Sequence, residues 1–313
     1  MPAIAKGALS NDAQFYWHLG DFRAIYEFDE DYVQEHPAPN PPLVADYLAQ
    51  AWPDFIQNQL APFGKIPVFL AIGNHELIPP MTRDRVTIQF ADWLDDDEIR
   101  QQRLHDDPSD HGLRTWYHWI RDGIDFITLD NASPDEFDAA QLAWFQRIIG
   151  GDRGDPAIRA VVVGMHEALP HSISGKHSMD QSAQGVESGV RVYTALLELQ
   201  KSKPVYVLAS HSHLYMEGIF NTDYWRGHGG VLPGWIIGTA GAVRYPLPDK
   251  ARDAKQAKTH VYGYLLATVT DLKEDPVQFS FRELRESDVP PGVVARFTSA
   301  FVHRCWSENP PLH

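Results

Sequence analysis

Along this chain, short apolar runs alternate with stretches in which apolar residues recur every three or four positions, the signatures of buried strands and amphipathic helices. Residues 15–19 read as a strand closing on Gly20-Asp21, and residues 66–72 as a buried strand closing on Gly73-Asn74-His75-Glu76. Between them, residues 43–63 predict a helix with Leu43, Tyr47, Leu48, Phe55, Ile56 and Leu60 on one stripe, kinked at Pro53. A second helix is expected over 83–94, and the acidic stretch 95–111 reads as a solvated loop. Residues 115–120 and 124–129 flank Arg121-Asp122-Gly123 and predict a hairpin. A helix over 139–149 leads to a strand at 160–163 that ends in Gly164-Met165-His166. A helix over 188–200 leads to a strand at 205–209 that ends in Ser210-His211-Ser212-His213. Residues 235–238, 262–269 and 277–281 are β-like. No repeat or linker interrupts the pattern, so residues 1–286 are expected to form one domain, with 287–313 a Pro-rich tail packed on it.

Length and charge narrow the possibilities. With 313 residues the chain can bury a sizeable core without staples. Its 27 Lys and Arg stand against 42 Asp and Glu, a net charge of −15, which repels nucleic-acid backbones and anionic lipid. Neither a nucleic acid nor a membrane is therefore an expected partner. Cys305 is the single cysteine, which excludes an intrachain disulfide and a Cys-rich zinc site. The most apolar stretch, 231–243, is too short to span a bilayer and contains Pro233, Gly234, Gly238 and Gly241. The first ten residues lack the apolar core of a signal peptide, so the chain as it stands reads as cytoplasmic, its compartment otherwise open.

Histidine carries the chemistry, with 15 in the chain. Four β-like runs end in a small residue followed by a metal-competent side chain: Asp21, then Asn74 and His75, then His166, then His211 and His213. Carboxyl ends of strands are where sites form in open α/β sheets. A lone strand-end histidine is ordinarily structural, but four such ends with carboxylate, amide and imidazoles together point to a metal. The donor set suits Mn, Fe, Zn, Ni or Co rather than a soft-metal site.

The order Gly20-Asp21, Gly73-Asn74-His75-Glu76, strand-end His166 and His211-Ser212-His213 resembles the calcineurin-like metallophosphoesterases. Over roughly residues 15–270 the resemblance implies an α/β fold in which two mixed sheets pack as a sandwich flanked by helices. It implies a small phosphoester substrate, hydrolysed by in-line attack of a metal-bound hydroxide between two divalent ions. Asp21 would bridge the metals, Asn74, His166 and His211 would complete one site, His213 would serve the other, and His75 would protonate the leaving group. The family's first motif, Asp-x-His on a preceding strand, has no counterpart; Asp12-Ala13-Gln14 is the nearest and reads as a turn. The second Asp of Gly-Asp-x-x-Asp is Ala24, and the Gly expected before His-x-His is Ser210. A first strand lost to a late start is the favoured explanation, which leaves one well-formed metal site in this chain and a second that is weak. The alternative is a catalytically impaired metal-binding or interaction protein that keeps the fold. Core packing is the usual fate of a histidine such as His18, although it could replace a missing ligand. His171, His177 and His228 lie in loops that could rim the site, and Arg23 or Arg244 could hold a phosphate oxygen. Other catalytic motifs fail: in His166-Glu167-Ala168-Leu169-Pro170-His171 the second His falls at i+5 and a proline intervenes.

Overall fold

The computed structural model describes residues 1–23, 44–132, 134–174 and 177–307. The first part runs α1 (Pro2–Ser10), β1 (Tyr16–Leu19), α2 (Val44–Phe55), β2 (Val68–Ala71), α3 (Arg83–Gln89), α4 (Ala91–Leu94) and α5 (Asp97–Asp106). The hairpin β3 (Tyr117–Arg121) and β4 (Ile124–Thr128) follows, then α6 (Ala139–Gly154), β5 (Ala160–Gly164), α7 (Ala183–Gln200) and β6 (Val205–Ala209). The chain continues with β7 (Tyr215–Glu217), α8 (Asp223–Gly227), β8 (Gly234–Ile237), β9 (Gln256–Lys258), β10 (Tyr262–Val269) and β11 (Val277–Leu284). Two helices close the described residues, α9 (Pro291–Phe297) and α10 (Ser299–Ser307).

Seven strands form one mixed sheet in the order β3-β4-β5-β6-β8-β7-β9. Its centre, β4 to β5 to β6 to β8, is parallel. The flanking strands β3, β7 and β9 are antiparallel to their neighbours. Both faces are covered, which is why the central strands are apolar without alternation. Val161 and Val163 of β5 pack with Leu142, Phe145 and Leu196 of α6 and α7. Val162, between them, faces the opposite layer with Phe126 and Leu208. That layer consists of two separate pairs, parallel β1-β2 and antiparallel β10-β11. Trp119 of β3 stacks on Phe69 of β2 at 4.0 Å, and Phe279 of β11 tilts onto Trp235 of β8 at 4.5 Å. Both pairs therefore lie over the same face of the large sheet. The α/β sandwich expected from the resemblance is present.

Several expected boundaries move. Residues 95–111 are not a loop: α5 occupies their centre. Asp96 accepts from the Glu98 amide as N-cap, acidic Asp97 and Glu98 fill the first turn, and Arg103 and His105 sit in the last. Charge placement along the helix dipole stabilises a helix that the acidic composition disguised. Ile99, fully buried, is its one apolar anchor. The expected helix over 83–94 breaks at Phe90, whose ring is buried against Phe22 and Trp52. The helix expected over 43–63 ends as α2 at Phe55 and continues as a π turn and a 3-10 turn to Phe63; Leu43 lies outside the described residues. The helix expected from 188 starts at Ala183, because Ser182 caps the Gly185 amide. The tail contains α9 and α10, with Phe297 and Val302 buried.

Candidate metal centre

The carboxyl ends of β1, β2, β5 and β6 deliver the polar groups to one place. Gly20 turns with φ 96°, and Asp21 follows in the left-handed region at φ 57°. Asp tolerates that region better than most residues, and such strain concentrates at functional sites. Gly73 is required at the facing turn, since a Cβ there would lie 2.1 Å from Asp21 Oδ1.

Glu76 ties the two turns together. It is fully buried, and its Oε2 accepts from the amides of Asp21 and Gly73, both at 2.8 Å. Its Oε1 accepts from the Phe22 amide at 2.7 Å. Burial and the Asp21 charge push the Glu76 pKa up to about 8, against the pull of the Gly73 and Phe22 amides.

His166 is fully buried and donates from Nδ1 to Leu19 O at 2.8 Å. This bond leaves Nε2 to face the cluster. Asn74 Oδ1 lies 3.1 Å from Nε2, His211 Nδ1 3.0 Å and Asp21 Oδ2 3.2 Å. Among the described residues, Asp21, His166 and His211 form the one group of His, Cys and acidic side chains whose ligand atoms converge tightly enough to hold a cation. Four lone-pair atoms facing each other repel unless a proton or a cation sits among them. Burial alone would lower the His166 pKa, yet Asp21 raises it to about 9, while burial and His166 force His211 down to about 2. Burial opposes ionisation of Asp21, but the charge of His166 and its hydrogen bond win and hold the carboxyl far below its usual range. A carboxylate, an amide oxygen and two imidazoles fit a borderline divalent ion.

The remaining expected residues divide. His213 lines the same cavity but stands outside the tight cluster; its Nδ1 donates to Val243 O at 2.6 Å and its ring stacks on Tyr245 at 4.2 Å. His75 lines the cavity too, with its amide donating to Asp21 Oδ1 at 3.1 Å. His18 is a core residue: its Nδ1 accepts from the Gly20 amide at 3.2 Å, its ring meets Phe22 and Phe55, and burial holds its pKa near about 3. His171 stacks on Tyr224 at 3.6 Å, and His228 stacks on the same ring at 4.0 Å. Neither lines the cavity. Arg23 pairs with Asp54 at 3.0 Å, and Arg244 lies over the Tyr262 ring at 4.9 Å, so both are engaged structurally.

His177, one of the loop residues that could rim the site, lines the cavity, whereas Tyr245 and Glu167 carried no sequence signal. His177 meets His211 edge-on at 5.2 Å and stacks on Tyr245 at 4.8 Å, so Tyr245 is flanked by His177 and His213. Glu167 is buried beside His166, and burial followed by the Asp135 charge pushes its pKa up to about 8.

Residues 2–215 match the family model of the calcineurin-like phosphoesterases. The chain belongs to that family. Phosphoester hydrolysis with bound metal is the family's general chemistry. Among solved structures, a purple acid phosphatase, PPD1, from yellow lupin (Lupinus luteus) seeds aligns at 17% identity with a TM-score of 0.59. The alignment covers 90% of this chain and 46% of that one, so the chain spans about half the length of that relative. A structure of PhoD aligns at 13% identity with a TM-score of 0.50, covering 91% of this chain and 68% of that one. At these identities the likeness establishes the fold. No curated protein matches the sequence. Among the described residues, no helix is long and apolar enough to cross a membrane.

Proposed function

We propose that this phosphoesterase-family chain hydrolyses a small phosphoester at a divalent-metal site held by Asp21, Asn74, His166 and His211. The observation that carries the reading is the convergence of four lone-pair atoms with His166 Nδ1 already committed to Leu19. A cation bound there would supply Lewis-acid polarisation of a phosphoryl oxygen and make water acidic enough to react near neutral pH. His213, its Nδ1 held by Val243, keeps Nε2 free at the edge of the cluster for a second, weaker ion. The purple acid phosphatase likeness agrees with a phosphate-ester substrate. The chain's acidic charge disfavours a polyanionic one.

His75 takes the part of proton donor. Its amide is fixed by Asp21, which leaves the imidazole side on the cavity wall, where it hydrogen-bonds a phosphate oxygen or protonates a departing alkoxide. Glu76 holds the turns on which Asp21 and His75 stand. The test is elemental analysis together with hydrolysis of an alkyl and a nitrophenyl phosphoester. The expected result is one tightly held ion per chain, with His75→Ala slowing the alkyl ester by roughly 10²-fold and the nitrophenyl ester less. Equal slowing of both esters with metal intact removes the proton-donor role. Absence of both metal and turnover leaves a phosphoesterase fold used for another purpose.

A further inference from the structure

A phosphoester held at the metal centre brings oxygens that accept hydrogen bonds, and the cluster itself offers acceptors. Asp21, Asn74, His166 and His211 all turn lone pairs inward. Phosphoryl oxygens call for N–H or O–H groups beside the cation. The two arginines that the sequence offers for this part are engaged elsewhere. Arg23 pairs with Asp54 at 3.0 Å. Arg244 is buried, lies over the Tyr262 ring and donates to the carbonyls of His260 and Trp306, both at 3.4 Å.

Tyr245, the next residue, is placed differently: it lines the cavity together with His177, His211 and His213. Its amide donates to His213 O at 3.1 Å, and its carbonyl accepts from the Thr259 hydroxyl. His213 Nδ1 in turn donates to Val243 O at 2.6 Å, so this loop is tied to the turn that carries His211 and His213. The side chain is fixed as firmly. Its ring stacks on His213 at 4.2 Å and on His177 at 4.8 Å, with interplanar angles of 26° and 29°. His177 is anchored to the same turn through Ser174, whose hydroxyl donates to His177 O at 2.7 Å and accepts from the Ser212 hydroxyl at 2.7 Å. His177 also meets His211 edge-on at 5.2 Å, so the clamp borders the cluster.

With the ring flanked by two imidazoles, what it offers the cavity is its edge and its hydroxyl. That hydroxyl has no hydrogen-bond partner among the described residues, and it is not sealed from solvent. Burial and then the Asp21 charge raise its pKa, which puts the phenol within electrostatic reach of the centre. Packing alone would be served as well by phenylalanine, whose ring fills the same clamp. The oxygen adds a donor that the fold does not use.

We propose that the Tyr245 hydroxyl is a substrate contact, donating a hydrogen bond to a phosphoryl oxygen of the ester bound at the centre. The assignment rests on the phosphoesterase reading above and deepens it by naming the group that grips the phosphoryl oxygen. A neutral donor suits the place, because a guanidinium there would repel the bound cation.

The test is Tyr245→Phe, which keeps the stacked ring and deletes one oxygen. Calorimetric titration of the metal-loaded proteins with inorganic phosphate should show affinity weaker by about 10-fold or more in the variant, as expected for one lost hydrogen bond to a charged group. Metal content by elemental analysis and melting temperature should match wild type. His166→Ala, which loses the ion, should not bind phosphate, and this locates the titrated site at the centre. Equal phosphate affinity in wild type and Tyr245→Phe overturns the proposal and leaves the phosphoesterase reading standing. So does loss of metal from Tyr245→Phe, which makes the hydroxyl a ligand rather than a substrate contact. Undiminished phosphate binding by His166→Ala overturns it as well. Failure of metal-loaded wild type to bind phosphate overturns both readings.

Discussion

Glu76 offers the sharpest test of how the centre is built. Its carboxylate accepts three amides, those of Phe22 and Gly73 in buried bonds and that of Asp21 in a part-buried one. Glu76→Ala removes every acceptor and leaves three donors unpaired. At about 1–3 kcal/mol for each unmet buried group, and toward the lower end where water enters the space, the loss is about 3–6 kcal/mol. That is a large share of the ~5–15 kcal/mol that holds an ordinary domain folded. Glu76→Gln keeps one oxygen, able to serve the Asp21 and Gly73 amides, and turns an NH₂ group toward Phe22. One donor faces another, so the cost falls to about 1–3 kcal/mol. Urea unfolding of the three proteins should rank them wild type, Gln, Ala. Calorimetric titration with Mn²⁺ or Zn²⁺ should show affinity falling in the same order, since Asp21 loses the anchor of its strained turn. The reasoning is refuted if Glu76→Ala unfolds within 1 kcal/mol of wild type, or if Gln and Ala are indistinguishable.

His166→Ala and His211→Ala should each abolish tight metal binding by elemental analysis with little loss of secondary structure by circular dichroism, whereas His171→Ala should leave metal content unchanged, its ring being stacked on Tyr224. A further prediction concerns His118, buried between Asp125 at 2.8 Å and Asp106 at 2.6 Å. Burial opposes its charge, but Asp125 and Asp106 raise its pKa to about 10. Because the folded value lies above the unfolded one of about 6.5, its stabilisation is complete below that pH and is lost as pH climbs toward 10. Asp152, pushed up to about 8 mainly by burial and the Asp125 charge, loses stability earlier, as pH rises from its unfolded value near 3.8 through about 8. Urea unfolding at pH 6 and pH 9.5 should show wild type losing more stability than His118→Gln; equal losses would remove the charge network from the account.

The strand ends were legible because small residues followed by Asp, Asn or His punctuate apolar runs, and Asp21, Asn74, His166 and His211 meet as that pattern implies. His213 lines the same cavity, outside the tight cluster. Helix α5 was hidden because its stabilisation comes from charge placement and one apolar contact, Ile99, rather than from a hydrophobic stripe. Tyr245 was hidden for another reason: it is distant in sequence from His177, the candidate rim residue, and meets it only because two loops fold over the same sheet end. Glu76 was visible as part of a motif, but nothing in the sequence reveals that its partners are backbone amides. The mixed sandwich followed from the resemblance; the division of its second layer into two pairs is visible only in the fold.

The bond from Glu76 to the amides of Asp21 and Phe22 joins residues 55 and 54 positions apart, and so closes a long loop. The entropy of such closure grows only as the logarithm of loop length: doubling the connection costs about 0.6 kcal/mol. One fully buried carboxylate therefore fixes the ends of β1 and β2 to each other across the polypeptide between Phe22 and β2. Outside the packed part of this interval, in which Trp52, Phe55, Leu60 and Phe63 are buried in the core, a lengthened connection would cost little in closure entropy, provided that both ends still reach the same three amides.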